Sequence, residues 1–238
     1  ARHDCAGDLD DHRGGVFVPE SQRRVGRGLG NAELKAQDRG MTNSIPQSIA
    51  VFGGSFDPVH NGHVMIARSA LEELELDRLI VMPAAQSPFK PNQQLAPAEA
   101  RMEWLRLAFA GEPKVEISSW ELDRGGVSYS IETLRALAVA YPKAEVFYLI
   151  GADHVATLTE WREADALAAA ATFVVVPRPG ASEEGFPKPF RGRYLRGEPM
   201  AVSAREIRQR LRSGRSVADF VPPPVAQMLN SMQIYSEN

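Results

Sequence analysis

The sequence predicts an α/β fold built on a parallel sheet with helices on both faces, and three observations predict it. Short continuous apolar runs, rich in β-branched and aromatic residues, recur at residues 48–52, 79–82, 146–150 and 172–176. Such runs read as strands buried on both faces, which is how parallel sheets look in sequence. Stretches with apolar residues every three or four positions separate them, as crossover helices require. The first run ends in Gly53-Gly54, and helical spacing begins about ten residues later.

In chain order, Ser48-Ile49-Ala50-Val51-Phe52 is the first strand. A helix over 63–74 follows, with Val64, Ala67, Leu71 and Leu74 on one face. Leu79-Ile80-Val81-Met82 is the second strand, stopped by Pro83. Residues 98–109 are helical, with Met102, Leu105 and Phe109 on the buried stripe. Val115-Glu116-Ile117 is a short strand, and 131–140 a helix. Two further strands, 146–150 and 172–176, complete the sheet. The C-terminal part holds a helix over 204–211, a turn at Pro222-Pro223-Pro224 and a last short helix near 225–229. Ligands of such sheets sit at the carboxyl ends of the strands, so the loops after the first, second, fourth and fifth strands are where chemistry is expected.

Composition narrows the function. The 238 residues, 44% apolar, suffice for one well-buried domain, or a domain with an appendage. A net charge of −3 and an isoelectric point near 6.0 argue against general binding to nucleic acid or anionic membranes. Phosphate recognition is therefore expected to be local. The single cysteine, Cys5, excludes an intrachain disulfide or a cysteine-based metal site and fits a reducing compartment. No run approaches the ~20 apolar residues of a membrane helix, and the N-terminus has no apolar signal core. A cytoplasmic protein with neither nucleic-acid nor membrane partners is expected. Residues 1–44 are charged and Gly-rich without a sustained period, which predicts a disordered or weakly ordered extension before a domain at 45–238. Met41 is one candidate for the true start of translation, and a regulatory tail is the other reading.

The loop after the first strand carries the strongest signal: Gly53-Gly54-Ser55-Phe56-Asp57-Pro58-Val59-His60-Asn61-Gly62-His63. Two glycines allow close approach of a ligand and positive φ. The following helix offers unpaired N–H groups and its positive dipole end to an anion. His60 and His63, three apart, fall on one side of the first helical turn. There they can donate to phosphate oxygens as charge builds in a transition state. Gly62 keeps a side chain away from the helix terminus. The spacing of Gly53, Gly54 and Gly62 does not match a dinucleotide-binding Gly-x-Gly-x-x-Gly loop. Asp57 precedes Pro58 and is read first as a turn-forming residue.

This run resembles the His-x-Gly-His signature of the nucleotidyltransferase superfamily related to class I tRNA synthetases. Its full text resembles bacterial nicotinate-mononucleotide adenylyltransferases in particular. The resemblance covers about residues 48–236 and implies a Rossmann-like sheet of the nucleotidyltransferase type. It implies that His60 and His63 contact ATP phosphates, while Gly53, Gly54, Ser55, Phe56 and Gly62 line the nucleotide site. Val202-Ser203-Ala204-Arg205-Glu206-Ile207-Arg208 resembles the family's Ser-x-x-x-Ile-Arg motif, with Ala204-Arg205 replacing its usual Ser-Thr pair. Ser203 suits a helix cap that also meets phosphate. Arg208 is a permanent cation for triphosphate oxygens, and Ile207 falls within the same implied ATP site.

Ile150-Gly151-Ala152-Asp153, followed by Trp161, resembles the family's Gly-x-Asp…Trp segment. It implies adenosine contacts at Gly151 and Asp153, and Trp161 stacked on a pyridine ring. Core packing is the other reading of Trp161. Pro83 to Pro91 resembles a Pro-Pro-His-Lys loop; Lys90 matches the lysine, a point charge for phosphate, and Phe89 replaces the histidine. Ser128-Tyr129-Ser130 resembles a Ser-Tyr-Thr stretch, implying substrate contacts from Tyr129 and a donor to the nicotinate carboxylate at Ser130. Pro177-Arg178-Pro179-Gly180 also fits, with Arg178 implied to hold the mononucleotide phosphate.

The implied reaction is attack of the mononucleotide phosphate on the α-phosphorus of ATP, with His60, His63, Lys90 and Arg208 as donors. It needs positioning and cations more than a base. Mg²⁺ is expected with ATP, held mainly by phosphates and water. The implied partners are ATP and nicotinate mononucleotide, and the oligomeric state stays open. Two alternatives stand beside this: another transferase of the superfamily, acting on pantetheine phosphate or making a cytidylyl product, and a nucleotide sensor without turnover.

Overall fold

In the computed structural model, the described residues are 45–90, 93–176, 185–197, 200–232 and 234–235. The expected N-terminal extension and Arg178 lie outside them. Six strands, β1 (Ser48–Gly54), β2 (Arg78–Pro83), β3 (Val115–Ile117), β4 (Glu145–Gly151), β5 (Thr172–Val176) and β6 (Gly192–Tyr194), form one sheet in the order β3-β2-β1-β4-β5-β6. Every pairing is parallel. The chain builds outward from β1 to β3, then crosses to β4 on the other side of β1. The order therefore reverses between β1 and β4, and a crevice opens at the carboxyl ends of those two strands, where ligands of doubly wound sheets bind.

The period of two along each strand divides the core. Ala50 and Phe52, Leu79 and Val81, Phe147 and Leu149, and Val174 and Val176 face one layer. That layer also takes buried residues of α1 (Asn61–Glu73), α2 (Ala98–Ala108), α6 (Ala204–Arg212) and α7 (Pro223–Met232). The alternate residues Ile49, Val51, Ile80, Met82, Tyr148, Ile150, Phe173 and Val175 face the other layer, beneath α4 (Ser130–Ala140) and α5 (Ala164–Ala170). Trp104, Leu105, Leu137 and Phe173 are fully buried, each such side chain contributing about 1.5–3 kcal/mol relative to exposure. A buried ion pair ties β2 to β3: Arg78 donates to Glu116 at 2.9 Å and to the Tyr141 hydroxyl at 2.9 Å. Burial pushes the Glu116 carboxyl up from its ordinary value, and Arg78 opposes that shift.

Most expected elements are present within a residue or two. The exception is Pro222-Pro223-Pro224, expected as a turn: Pro223 and Pro224 open α7 instead. A proline at the start of a helix lacks only an N–H that would be unpaired there, and its φ is already helical. Four elements have no clear period in sequence. They are α3 (Trp120–Arg124), a 3₁₀ segment at Ala152–Glu160, α5 and the edge strand β6. The first and last are too short for a period, and α5 is almost all alanine.

Candidate active site

The site is built at the reversal of strand order. β1 delivers Gly53 and Gly54 to its carboxyl end, and α1 begins at Asn61 with His60 as its N-cap. The turn between them does not use glycine as expected. Gly53 and Gly54 have no positive φ; the left-handed residue is Phe56, at φ 46°. Its ring is buried, edge-on to Phe52 at 5.4 Å and to His63 at 4.9 Å, so packing holds a conformation that costs on the order of 1–3 kcal/mol. What Gly54 supplies is room, since a Cβ there would meet the Phe56 ring at 3.1 Å.

His60 and His63 stack with ring centroids 3.6 Å apart and planes 23° from parallel. The His60 main-chain N–H donates to His63 Nδ1 at 3.1 Å. Nδ1 is therefore the acceptor, and the neutral His63 ring carries its proton on Nε2. His60 Nδ1 is buried and has no hydrogen-bond partner among the described residues. Burial lowers the His60 pKa to about 4. Burial, and then the neighbouring His60, hold His63 well below 6.5. Both rings are neutral donors at pH 7, and any anion bound against them would favour their charged forms.

A stability consequence has a definite sign. With a folded pKa near 4 against an ordinary 6.5, the unfolded chain takes up a proton that the folded chain refuses between those values. Stability from this group is complete above pH 6.5 and falls as the pH drops toward 4. Between pH 6.5 and 5 the loss from His60 alone is about 1.5 kcal/mol. Urea midpoints of the wild type and His60→Gln across that interval check it. The variant is expected to show the shallower slope, and parallel slopes would contradict burial of the ring.

The remaining site residues arrive from distant segments. Gly62 was expected to leave space for a nucleotide. A Cβ there would meet Val202 Cγ1 at 2.9 Å and His60 Nδ1 at 3.1 Å. The glycine lets the segment before α6 lie directly on the first turn of α1. Ser203 then caps α6, accepting from the Glu206 N–H at 3.2 Å. Arg208, one turn on, reaches the first loop: its Nη1 donates to the Asp57 carbonyl and lies 3.6 Å from Asp57 Oδ2. Ile207 does not face the site as expected. Its side chain is fully buried in the core and its N–H bonds the Ser203 carbonyl at 3.1 Å.

Asp57 has the structural place read from its sequence setting. It is 2% exposed and accepts from the Ala96 N–H at 3.1 Å and from the Tyr235 hydroxyl. Beside it, buried Arg101 donates to the carbonyls of Ala96 at 3.1 Å, Ser55 at 3.0 Å and Ala84 at 2.9 Å. Ser55 thus contributes its carbonyl to the loop's own support. Sequence reasoning missed Arg101 and Tyr235. Arg101 had a signal, because it lies four residues before Leu105 on an apolar stripe; Tyr235 had none.

On the other side of the crevice, β4 ends at Gly151, and the 3₁₀ segment runs on from there, with Asp153 exposed, to its C-cap Trp161. Trp161 is partly buried, edge-on to Phe173 at 6.3 Å and near His154 at 5.6 Å. Phe89 packs against both, 5.3 Å from Trp161 and 4.8 Å from His154, so the residue that replaces the family's histidine joins an aromatic group. Lys90 is exposed on the same loop. That loop is fixed to the Ser128-Tyr129-Ser130 stretch, where Ser128 accepts from the Ala85 N–H at 3.1 Å and donates its own N–H to the Gln86 carbonyl at 2.9 Å. Tyr129 precedes α4 under the Arg162 guanidinium, 4.6 Å from its ring centre. Ser130 opens α4 against the buried Tyr148 hydroxyl, which lies 3.5 Å from where a Gly53 Cβ would be.

A parallel sheet of this order, with two stacked histidines at a helix N-terminus and an arginine turned onto the same loop, defines a nucleotidyltransferase. Comparison with known proteins agrees. Residues 51–210 match the model of the cytidylyltransferase-like family, and the chain belongs to that family. A probable nicotinate-nucleotide adenylyltransferase of Thermus thermophilus is 41% identical over 187 residues, spanning 79% of this chain and 98% of that protein. Relatives of the same description in Gemmatimonas aurantiaca and Rhodopirellula baltica are 37% and 34% identical, over 79% and 82% of this chain and 92% and 97% of theirs. The fold is also that of Plasmodium falciparum nicotinic acid mononucleotide adenylyltransferase complexed with NaAD. That likeness has a TM-score of 0.63 at 18% identity, covering 79% of this chain and 97% of that one.

Proposed function

We propose that this chain transfers AMP from ATP to nicotinate mononucleotide, giving deamido-NAD and pyrophosphate. The observation that carries the proposal is the stacked His60–His63 pair at the start of α1, with Arg208 held onto the same loop. The names of the relatives supply the acceptor. A phosphate oxygen of the mononucleotide attacks the α-phosphorus, the bond from that phosphorus to the β-bridging oxygen breaks, and pyrophosphate leaves with the electron pair. No covalent enzyme intermediate is required. His63 donates from Nε2, His60 from its own ring stacked on it, and Arg208 from the part of its fork not engaged by Asp57. These groups stabilise charge spread over the phosphate oxygens, the main task in such a transfer.

Gly53, Gly54 and Gly62 let the nucleotide and the C-terminal segment approach the loop, with Phe56 supporting His63 from behind. Gly151 and Asp153 are assigned to adenosine, and Ser203 to phosphate. Lys90 and Arg178 are assigned as further cations. Trp161 offers a ring for the pyridine, and Tyr129 and Ser130 face its carboxylate from the N-terminus of α4, where negative charge is favoured. Magnesium arriving with ATP supplies neutralisation of the triphosphate charge. The donor set fits a metal held by phosphates and water, since both Asp57 oxygens are engaged and the described residues hold no cluster of three or more His, Cys, Asp or Glu. No helix among the described residues is long and apolar enough to cross a membrane. A cytoplasmic setting, where ATP is at hand, is part of the proposal.

The test is pyrophosphate release with ATP and Mg²⁺, offering nicotinate mononucleotide, its amide and pantetheine phosphate in turn. Fast release with the acid form is the expected result. Release with another acceptor alone reassigns the substrate while keeping the transferase, and ATP binding without release from any acceptor identifies a sensor.

A further inference from the structure

The buried group beneath the first loop has more positive than negative charge. Arg101 and Asp57 are 3% and 2% exposed, and the Arg208 side chain is 19% exposed. Two guanidinium groups thus lie against one buried carboxylate, with exposed Glu99 adding negative charge near Arg101. Arg101 is occupied by three carbonyls. Among the described residues Arg208 is held only through Nη1, at the Asp57 carbonyl and Oδ2, so it is the cation that an incoming phosphate can complete.

What fixes Asp57 in turn comes from the far end of the chain. Its Oδ1 accepts from the Tyr235 hydroxyl, 178 residues away in sequence. The Tyr235 ring packs near Trp104, with centroids 6.1 Å apart. Burial, and then the Asp57 contact, push the Tyr235 phenol well above its ordinary value, which keeps the hydroxyl protonated as a donor. Without that donor Oδ1 keeps only the Ala96 N–H, and the carboxylate is free to rotate toward either guanidinium. Any rotation moves Oδ2, 3.6 Å from Arg208 Nη1, while the main-chain carbonyl to which Nη1 donates stays in place.

We propose that Tyr235 is a positioning residue for the phosphate site, acting through Asp57 to orient Arg208. This rests on the assignment of Arg208 to the triphosphate. It makes the C-terminal segment a working part of the site rather than a cover for the core. Tyr235→Phe removes the hydroxyl and keeps the ring on Trp104, so the fold is expected to survive. A purely structural contact would change the thermal midpoint without depending on Arg208.

The experiment is a double-mutant cycle on the full chain, with Tyr235→Phe, Arg208→Gln and the double variant. ATP affinity is read by calorimetry and turnover by pyrophosphate release. Tyr235→Phe is expected to weaken ATP binding and lower kcat by about tenfold in the parent chain, and to add less than twofold in the Arg208→Gln background. Equal losses in both backgrounds, or no loss in the parent, overturn the inference. The ATP-binding arm reads the coupling even if the parent chain releases no pyrophosphate with nicotinate mononucleotide, an outcome that counts against the proposed acceptor alone.

Discussion

Replacing His63 with alanine is expected to lower kcat by about 10²–10³-fold, the usual cost of removing one donor aimed at developing charge. The fold should persist. The main structural loss is the acceptor for the His60 N–H, a deficit of about 1 kcal/mol, and the Phe52–Phe56 contact at 5.4 Å remains. On the proposed mechanism Nε2 meets charge that grows in the transition state, so kcat should fall by more than KM rises. Steady-state pyrophosphate release, with circular dichroism to verify folding, provides the check. A variant within threefold of the parent kcat removes His63 from the chemistry and leaves it a capping residue of α1.

Arg208→Gln is the second large effect, with an expected loss of about 10²-fold or more in turnover and weaker ATP binding. Glutamine keeps length and polarity but removes the permanent charge and the fork. α6 should stay in place, because it is anchored by fully buried Ile207 and by the Ser203 cap. Arg208→Lys separates charge from geometry. A lysine restores the charge but has no rigid fork to set against both Asp57 and a phosphate. A partial recovery is therefore expected, and full recovery would show that charge alone suffices. Measuring kcat and ATP affinity for both variants decides between these outcomes. An Arg208→Gln enzyme with unaltered kinetics would assign the arginine to stabilising the loop.

The two effects share a physical basis, namely charge managed without a carboxylate cage. The histidines are kept neutral by burial, so the free site does not pay to hold two adjacent cations. On the proposed mechanism positive charge is supplied instead by Arg208, tethered to a carboxylate that does not fully neutralise it. A site of this kind has modest charge until a phosphate arrives. That agrees with a chain whose overall charge is −3 and whose phosphate recognition was expected to be local.

The sequence by itself determined five of the six strands, the start of α1 and the loop that joins the first strand to it. The reason is that each is written in a local period or a contiguous run. β5 and β3 have the limits read from their apolar text, and the loop from Gly53 to His63 needed only its neighbouring strand and helix to be legible. Only the tertiary structure decided how the pieces meet. Gly62, read from sequence as room for a ligand, also leaves room for Val202. Ile207, from a motif matched as a unit, turned to the core because helical periodicity places it off the face that carries Arg208. Phe89 looked like a lost histidine and joined Trp161 and His154 across two loops. The contact between Tyr235 and Asp57 spans nearly the whole domain. No local pattern encodes such a contact, because it exists only when α7 has packed against α2 and brought Tyr235 back to the first loop.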